Sequence, residues 1–433
     1  MSSFLIKILG LIIIFFAITP NLGFFNTASL SLLILVSITF YYISFRNKLP
    51  FEKIQHEPLV VATIFILLTY GSLYYGGLYQ EMIAVEAGKI IQVFTVVFLF
   101  YYYYIHSSSG NKIFIFSLIM YLVLSILTIT TSPHPIIDAF VQMKEAPLQL
   151  LQGNNPYDIT FTKIYQNVNP TYFTFLPMSF VLSIPSVLLL GDPRYLIIGF
   201  NLLAAFALFS MFKKSHKSQI GALAVAGFLF LPRSFYMLEH MFLDQIVLAL
   251  YILFCFIFVL RKERLLLLIL ALFFSFKQHL IILMPLFAEN TRIKHLIISR
   301  NIVFFIAPFM LPLYFLVLNP QAFLNDTLFS LTASQNTSPI YMSLSISTFL
   351  RNLGFSVDTS GYLVVSLLLT LLLLFALIRR KNLGLALKIT LTLFTFHLLL
   401  HHSFFNHYFL IAGFLYVDIL NELLGKKYID GEN

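Results

Sequence analysis

Residues Ile113–Asp138 read IFIFSLIMYLVLSILTITTSPHPIID. The first nineteen, Ile113–Thr131, carry no charged side chain. As a helix rising about 1.5 Å per residue they match the roughly 30 Å hydrocarbon core of a bilayer. Pro133 and Pro135 then break the helix, and Asp138 opens a stretch of different character. The same alternation of apolar block and short polar turn extends in both directions. Toward the N-terminus it predicts spans at Ile8–Phe25, Ala28–Phe45, Leu59–Tyr79 and Ala87–Ile105. Toward the C-terminus it predicts Leu196–Phe212, Ile220–Leu238, Phe242–Leu260, Ile302–Leu318, Tyr362–Ile378, Leu383–Leu400 and Phe404–Leu420.

Composition agrees. Only 10% of the 433 residues are charged and 59% are hydrophobic. A soluble domain uses about 25% charged residues to cover its surface. The chain is therefore read as all-α, a polytopic transmembrane helical bundle with about twelve to thirteen membrane segments. Its net charge of +9 does not indicate nucleic acid, because Lys and Arg cluster beside the apolar blocks, where they orient helices and meet anionic headgroups. A single cysteine, Cys255, excludes a disulfide framework and a thiolate metal site. Without Trp, the interfacial belt falls to Tyr and Phe, as in Tyr101–Tyr104. Ile8–Phe25 lacks a small-residue cleavage pattern and reads as a retained helix.

Two segments are ambiguous. Tyr172–Leu190 carries Pro177 and Pro185, and Leu265–Ala288 is interrupted by Lys277-Gln278-His279. Taking the first as outer and the second as a re-entrant pair, Leu265–Phe276 and Leu280–Ala288, sorts the basic residues. Lys89, Lys144, Lys163, Arg194, Arg233, Lys277 and Arg351 then lie outside, leaving twenty of the 27 inside. The inside set includes Lys7, Lys48, Lys53, Lys213, Lys214, Arg379, Lys426 and Lys427, and Lys388, which is expected to snorkel. Both termini are then cytoplasmic.

In this topology the unusual polar residues gather at outer turns. His134, Asp138 and Gly153-Asn154-Asn155-Pro156-Tyr157-Asp158 follow the fifth span. Arg233, Glu239, His240 and Asp244 form a second group, Lys277, Gln278 and His279 a third, and His401, His402, Asn406 and His407 a fourth. Ionisable groups within apolar runs mark a functional cavity by default. Asp138 begins an amphipathic stretch, Ile136–Gln152, in which Ile137, Phe140, Val141, Leu148 and Leu151 can share a buried face. Such a helix lies along the interface, and its dipole favours an ionised carboxylate that can accept a hydroxyl proton. The plainer reading of Asp138 is a helix cap. Asn325-Asp326-Thr327 and Asn336-Thr337-Ser338 have the form of glycosylation acceptors. The spacing of His401, His402 and His407 does not put them on one helical face as metal ligands.

His134-Pro135-Ile136-Ile137-Asp138, Leu151-Gln152-Gly153-Asn154-Asn155-Pro156-Tyr157 and Tyr172-Phe173-Thr174-Phe175-Leu176-Pro177 together resemble the first outer loop of the GT-C superfamily of glycosyltransferases. Within it they are similar to the family 87 polyprenyl-phosphate-mannose-dependent mannosyltransferases. Pro232-Arg233-Ser234-Phe235, Phe276-Lys277-Gln278-His279 and Asn406-His407-Tyr408 extend the likeness over Ile113–Leu420. Phe242-Leu243-Asp244-Gln245 departs from the aromatic-Thr-acid-Pro element of relatives. The resemblance implies a GT-C-like transmembrane catalytic core at 112–433, preceded by additional transmembrane helices at 1–111.

It further implies transfer of a mannose-like hexose, with inversion, from a polyprenyl-phosphate sugar to a lipid- or glycan-linked acceptor on the outer face of the plasma membrane. A lipid phosphate is a good leaving group, so one base suffices, in contrast to the paired carboxylates of glycosidases. Asp138 is the expected base. Lys277, Arg233, His279 and His240 are expected to hold the donor phosphate. His134, Asn155, Tyr157, Asp244, Gln278, Asn406 and His407 are expected to contact substrate. No metal or other cofactor is required on this reading, and the partners are membrane lipid, donor and acceptor. A polysaccharide polymerase or ligase would be expected to carry Arg and His in its late outer loop, whereas Asn319–Gly361 has one Arg and no His. A flippase of lipid-linked sugars would be expected to show symmetric halves and a mid-membrane polar path.

Overall fold

A computed structural model describes residues 3–46, 56–106, 110–164, 170–329, 342–355 and 359–425. Lys48, Lys53, Lys426, Lys427 and the Asn336-Thr337-Ser338 triplet lie outside the described residues. The described residues are helices and connecting loops, with one isolated backbone bridge between Phe24 and Ser343.

Among the described residues, seven helices are long and apolar enough to cross a membrane: Thr27–Phe45, His56–Leu73, Met82–Ile105, Gly110–Thr131, Tyr195–Lys214, Thr359–Ile378 and Phe405–Leu424. The pair Thr291–Ile298 and Ile302–Leu318, bent by 94°, makes an eighth if it is one span. The other predicted spans correspond to shorter apolar helices, Ser3–Ile18, Ser218–Leu229, Asp244–Leu260 and Leu385–Leu399. The chain is thus a multi-pass, all-helical membrane protein.

Local chemistry explains where helices stop. The predicted Ile220–Leu238 span divides into Ser218–Leu229 and Ser234–Glu239, because Pro232 lies in the break and Arg233 adopts left-handed backbone (φ 66°). Pro177 directly precedes the helix Met178–Leu190, and Pro185 is accommodated inside it. The expected interruption around Lys277 is present. Glu263–Phe274 ends before it, and Gln278–Leu283 continues as a 3₁₀ turn into Met284–Ala288.

Contacts divide the chain into two compact units. One comprises residues 1–67, 282–294 and 332–433; the other comprises 68–281 and 295–331. In the first unit, Ser3–Ile18 packs on Thr27–Phe45 and Phe405–Leu424, and Leu385–Leu399 packs on Thr359–Ile378 and Phe405–Leu424. Lys7 is buried there, 2.6 Å from Asp418 and also paired with Glu422. Lys388 does not snorkel: it is buried, with its ammonium 2.5 Å from Glu289. A buried ammonium is stable only with such a partner.

In the second unit, Gly110–Thr131, Tyr195–Lys214, Ser218–Leu229 and Asp244–Leu260 form the packed centre. The amphipathic helix predicted at Ile136–Gln152 spans Asp138–Leu151 and packs against Met178–Leu190. Its buried face differs from the predicted one. Ala139, Phe140, Met143, Ala146 and Pro147 are buried, while Leu148 and Leu151 are exposed. The small side chains of Ala139 and Ala146 let this face approach its neighbours closely, and the larger aliphatics are left on the other side.

Candidate functional site

Asp138 is the first helical residue after Ile137, whose backbone is extended. Its Oδ1 accepts the Ala139 N–H at 2.8 Å, and its Oδ2 accepts the Tyr172 hydroxyl at 3.3 Å. The residue keeps partial exposure, yet burial pushes its carboxyl above the usual range against the effect of both donors. Desolvation therefore outweighs the helix-terminal field that was expected to favour the ionised form. For a proton acceptor this is the useful direction, since a carboxylate of higher pKa is the stronger base.

Tyr172 belongs to a non-helical strap, Tyr172–Leu176, whose main chain is held largely by side chains. Gln142 Nε2 donates to the Tyr172 carbonyl at 2.7 Å, and the Phe173 N–H donates to Asp326 Oδ2 at 2.7 Å. Gln278 Nε2 donates to the Thr174 carbonyl at 3.2 Å and to the Thr327 carbonyl at 2.8 Å. The Tyr157 hydroxyl donates to the Phe175 carbonyl at 2.8 Å. A strap with no helix or sheet partner must satisfy its polar groups in this way when buried.

Two of the residues expected to contact substrate take part in these bonds. Tyr157 is 2% exposed, enclosed by Phe173, Phe180, Phe315 and Phe323, and fastens the strap from within. Gln278 likewise braces main chain. Asn155 closes its own turn by accepting the Tyr157 N–H at 3.1 Å, and Gly153 supplies the positive φ of 85° that ends the Asp138 helix. His134 is exposed in the turn just before that helix.

A second loop meets the same helix. The Tyr79 hydroxyl donates to the Ile136 carbonyl at 2.7 Å, two residues before Asp138. Leu78 and Tyr79 N–H groups donate to the Glu239 carboxylate at 2.6 and 3.0 Å, and Arg233 donates to the Gly76 carbonyl at 3.2 Å. Burial raises the Glu239 carboxyl above its usual range, against the pull of these two amides. His240 is enclosed by Tyr79, Tyr236 and Phe242, with Nδ1 3.0 Å from the Tyr236 carbonyl. Burial lowers its pKa to about 3. Its Nδ1 also lies 3.3 Å from Glu239 Oε2, so the ring sits against the loop that carries Tyr79, inside an aromatic enclosure.

Lys277 is also engaged. Its ammonium lies 2.7 Å from Asp244 Oδ2, and both side chains are buried. Asp244 opens Asp244–Leu260, whose N-terminal dipole complements the carboxylate. This pair therefore joins two helix ends, and neither member stands open to substrate. Arg233 and His279 keep partial exposure. Asn406 and His407 sit in the first turn of Phe405–Leu424 in the other unit. There His407 Nδ1 accepts the Phe404 N–H and its ring stacks on His397 at 4.2 Å.

Residues outside the expected set complete the arrangement around Asp138. Arg194 is fully buried and doubly bound to Asp192, with Nη2 2.6 Å from Oδ2 and Nε 2.9 Å from Oδ1. It also donates to Ser132 Oγ at 3.0 Å and the Ile129 carbonyl at 3.3 Å, and stands over the Phe140 ring. It thereby ties the end of Gly110–Thr131 to the first turn of the Asp138 helix. Asp326 is 6% exposed and lies within the Asn325-Asp326-Thr327 triplet. Thr327 is buried, its hydroxyl donating to the Phe323 carbonyl at 2.6 Å, while Asn325, the first residue of the triplet, is exposed on the same short helix.

A cavity of about 740 Å³ lies elsewhere in this unit, lined by Ile257, Arg261, Lys262, Arg264 and Asn301 among others. It contains none of the expected site residues. Scans against protein-family models, curated proteins and solved structures found no match to the chain.

Proposed function

We propose that the chain is a membrane glycosyltransferase of the GT-C type, moving a mannose-like hexose from a polyprenyl-phosphate donor to a lipid- or glycan-linked acceptor. The observation that carries this reading is the desolvated Asp138 carboxyl. It lies at the first turn of an amphipathic helix directly after an apolar span, and a tyrosine hydroxyl faces it. A capping side chain accepts the N–H two or three residues on, whereas Asp138 accepts only the adjacent Ala139 N–H and leaves Oδ2 to the Tyr172 hydroxyl, which supports the base over the cap.

On this reading the acceptor hydroxyl oxygen attacks the anomeric carbon as its proton passes to the Asp138 carboxylate. The bond from that carbon to the phosphate oxygen breaks, and the polyprenyl phosphate departs with the bonding electrons. Inversion follows from a single in-line displacement. The leaving phosphate needs donors, for which the partly exposed Arg233 is the candidate side chain. Burial lowers the pKa of the His279 imidazole to about 3, as it does that of His240, so it would serve only as a neutral donor. Lys277 acts through Asp244, holding the helix break in place. The amphipathic Asp138 helix suits a donor whose reactive end lies at the water–lipid boundary.

The test is transfer by purified protein supplied with a panel of polyprenyl-phosphate hexoses and lipid or glycan acceptors. Asp138→Asn should lower the rate by about 10²-fold or more while retaining donor. A near-wild-type rate in folded Asp138→Asn protein, or no transfer from any donor by the wild type, would sink the reading.

A further inference from the structure

We propose that Asp326 is a positioning residue for Asp138, holding the Tyr172–Leu176 strap so that the Tyr172 hydroxyl meets the carboxylate. This rests on the reading of Asp138 as the base. Asp326 comes from the helix Pro320–Thr327, far along the chain from Phe173, and its Oδ2 receives the Phe173 N–H at 2.7 Å. The neighbouring peptide carbonyls, of Tyr172 and Thr174, are held by Gln142 and Gln278. Three side chains from three separate segments thus grip three successive residues of one strap. Two of these grips are neutral amides donating to carbonyls. The third is a carboxylate accepting an amide N–H, a charge-assisted bond and the stronger kind when ionised.

The strap has one side chain aimed at the proposed base. A shift of the Phe173 peptide turns the adjoining Tyr172, and its hydroxyl is already at the long end of hydrogen bonding, 3.3 Å from Asp138 Oδ2. Little movement is needed to lose that bond. The hydroxyl donates to the carboxylate, so its loss disfavours the ionised form and raises the pKa of Asp138 further. Tyr157 and Asp158 are the titratable neighbours of Asp326 on the loop after the Asp138 helix. Asn319 fixes Asp158 through a 3.2 Å bond to its Oδ2.

The experiment follows the pH midpoint of carbodiimide modification at Asp138, read by mass spectrometry on full-length protein in detergent, beside the transfer assay. Carbodiimide attacks the protonated carboxyl, so the midpoint reports ionisation at that residue without any need for activity. Asp326→Ala should raise the midpoint, and Tyr172→Phe should raise it equally. Asp326→Asn, whose amide oxygen still accepts the Phe173 N–H, should leave it near the wild-type value. Transfer should fall by about ten- to a hundredfold in Asp326→Ala, the scale of a misplaced catalytic group, and recover largely in Asp326→Asn.

An unchanged midpoint in folded Asp326→Ala protein would overturn the positioning role. So would a raised midpoint that Tyr172→Phe does not reproduce. A midpoint that shifts as described in a protein without transfer activity would uphold the positioning role and discard the glycosyltransferase reading.

Discussion

The carboxylate of Glu239 fills the space beside Gly77: a Cβ built on that glycine would lie 1.7 Å from Glu239 Oε2. The carboxylate is drawn there by the Leu78 and Tyr79 N–H groups, and the same loop carries the Tyr79 hydroxyl to the Ile136 carbonyl. Gly77→Ala should therefore expel Glu239 and destabilise the protein by about 1–3 kcal/mol, the range for overpacking a close-packed site. Glu239→Ala in the same chain should remove most of that penalty while adding its own. The check is a double-mutant cycle on thermal unfolding in detergent, and simple additivity would contradict the contact.

The Lys277–Asp244 pair makes a different prediction from a substrate-binding lysine. Lys277→Met strands a buried carboxylate and should cost about 3–5 kcal/mol. Replacing both residues, Lys277→Met with Asp244→Leu, should restore much of the loss, because two apolar side chains leave no charge unpaired. Thermal stability of the three variants decides it. A double variant no more stable than the worse single one would show that the ammonium does more than neutralise Asp244.

Stability should also respond to pH through Asp326. Burial, opposed by the Phe173 N–H and reinforced by Asp158, raises this carboxyl from 3.8 to about 7. Between those values the folded protein keeps a proton that the unfolded chain has released. Stability should therefore fall as pH rises from about 4 to about 7 and level off above. Asp138 and Glu239 have raised values and contribute with the same sign. The diagnostic quantity is consequently the difference from Asp326→Asn, which should have the shallower slope in a pH series of melting temperatures. Parallel slopes would contradict the assignment.

The proposed orientation is testable by side-specific labelling. His134 and Lys214 are both exposed and lie near opposite ends of the predicted spans. In a chain with Cys255 replaced by Ser, His134→Cys should react with a membrane-impermeant thiol reagent applied to intact cells, whereas Lys214→Cys should react only after permeabilisation. The reverse pattern would invert the topology.

The fold was legible wherever an apolar run had to find its own end. Pro133 and Pro135 delimit Gly110–Thr131, the Lys277 triplet marks a true helix break, and Asp138 begins the helix predicted for it. Burial faces were less legible. Leu148 and Leu151 attracted the assignment because they are large, but the packed side uses Ala139 and Ala146, whose fit depends on a neighbour the local sequence does not specify. Within the candidate site, residue type singled out the ionisable groups without showing what they face. Lys277 and Gln278 meet partners distant in sequence, Asp244 and the Thr174 and Thr327 carbonyls, and His240 meets Tyr79 as well as its own local neighbours. Arg194 offered a local signal, an aspartate two residues earlier, that fits a closed guanidinium–carboxylate loop. Asp326 offered none beyond its triplet, since its partner is a main-chain N–H.

During synthesis the Lys277–Asp244 pairing imposes an order. Asp244 emerges from the ribosome 33 residues before the lysine that neutralises it. Until then the acid that starts this helix lacks its ammonium, and on the predicted topology it lies at the outer end of the segment. The nascent Asp244–Leu260 segment can therefore enter with its acid left at that end, and the lysine fastens it afterwards. Chains truncated before Lys277 should still insert this helix but leave its outer end unfastened, so the lysine locks a helix already made.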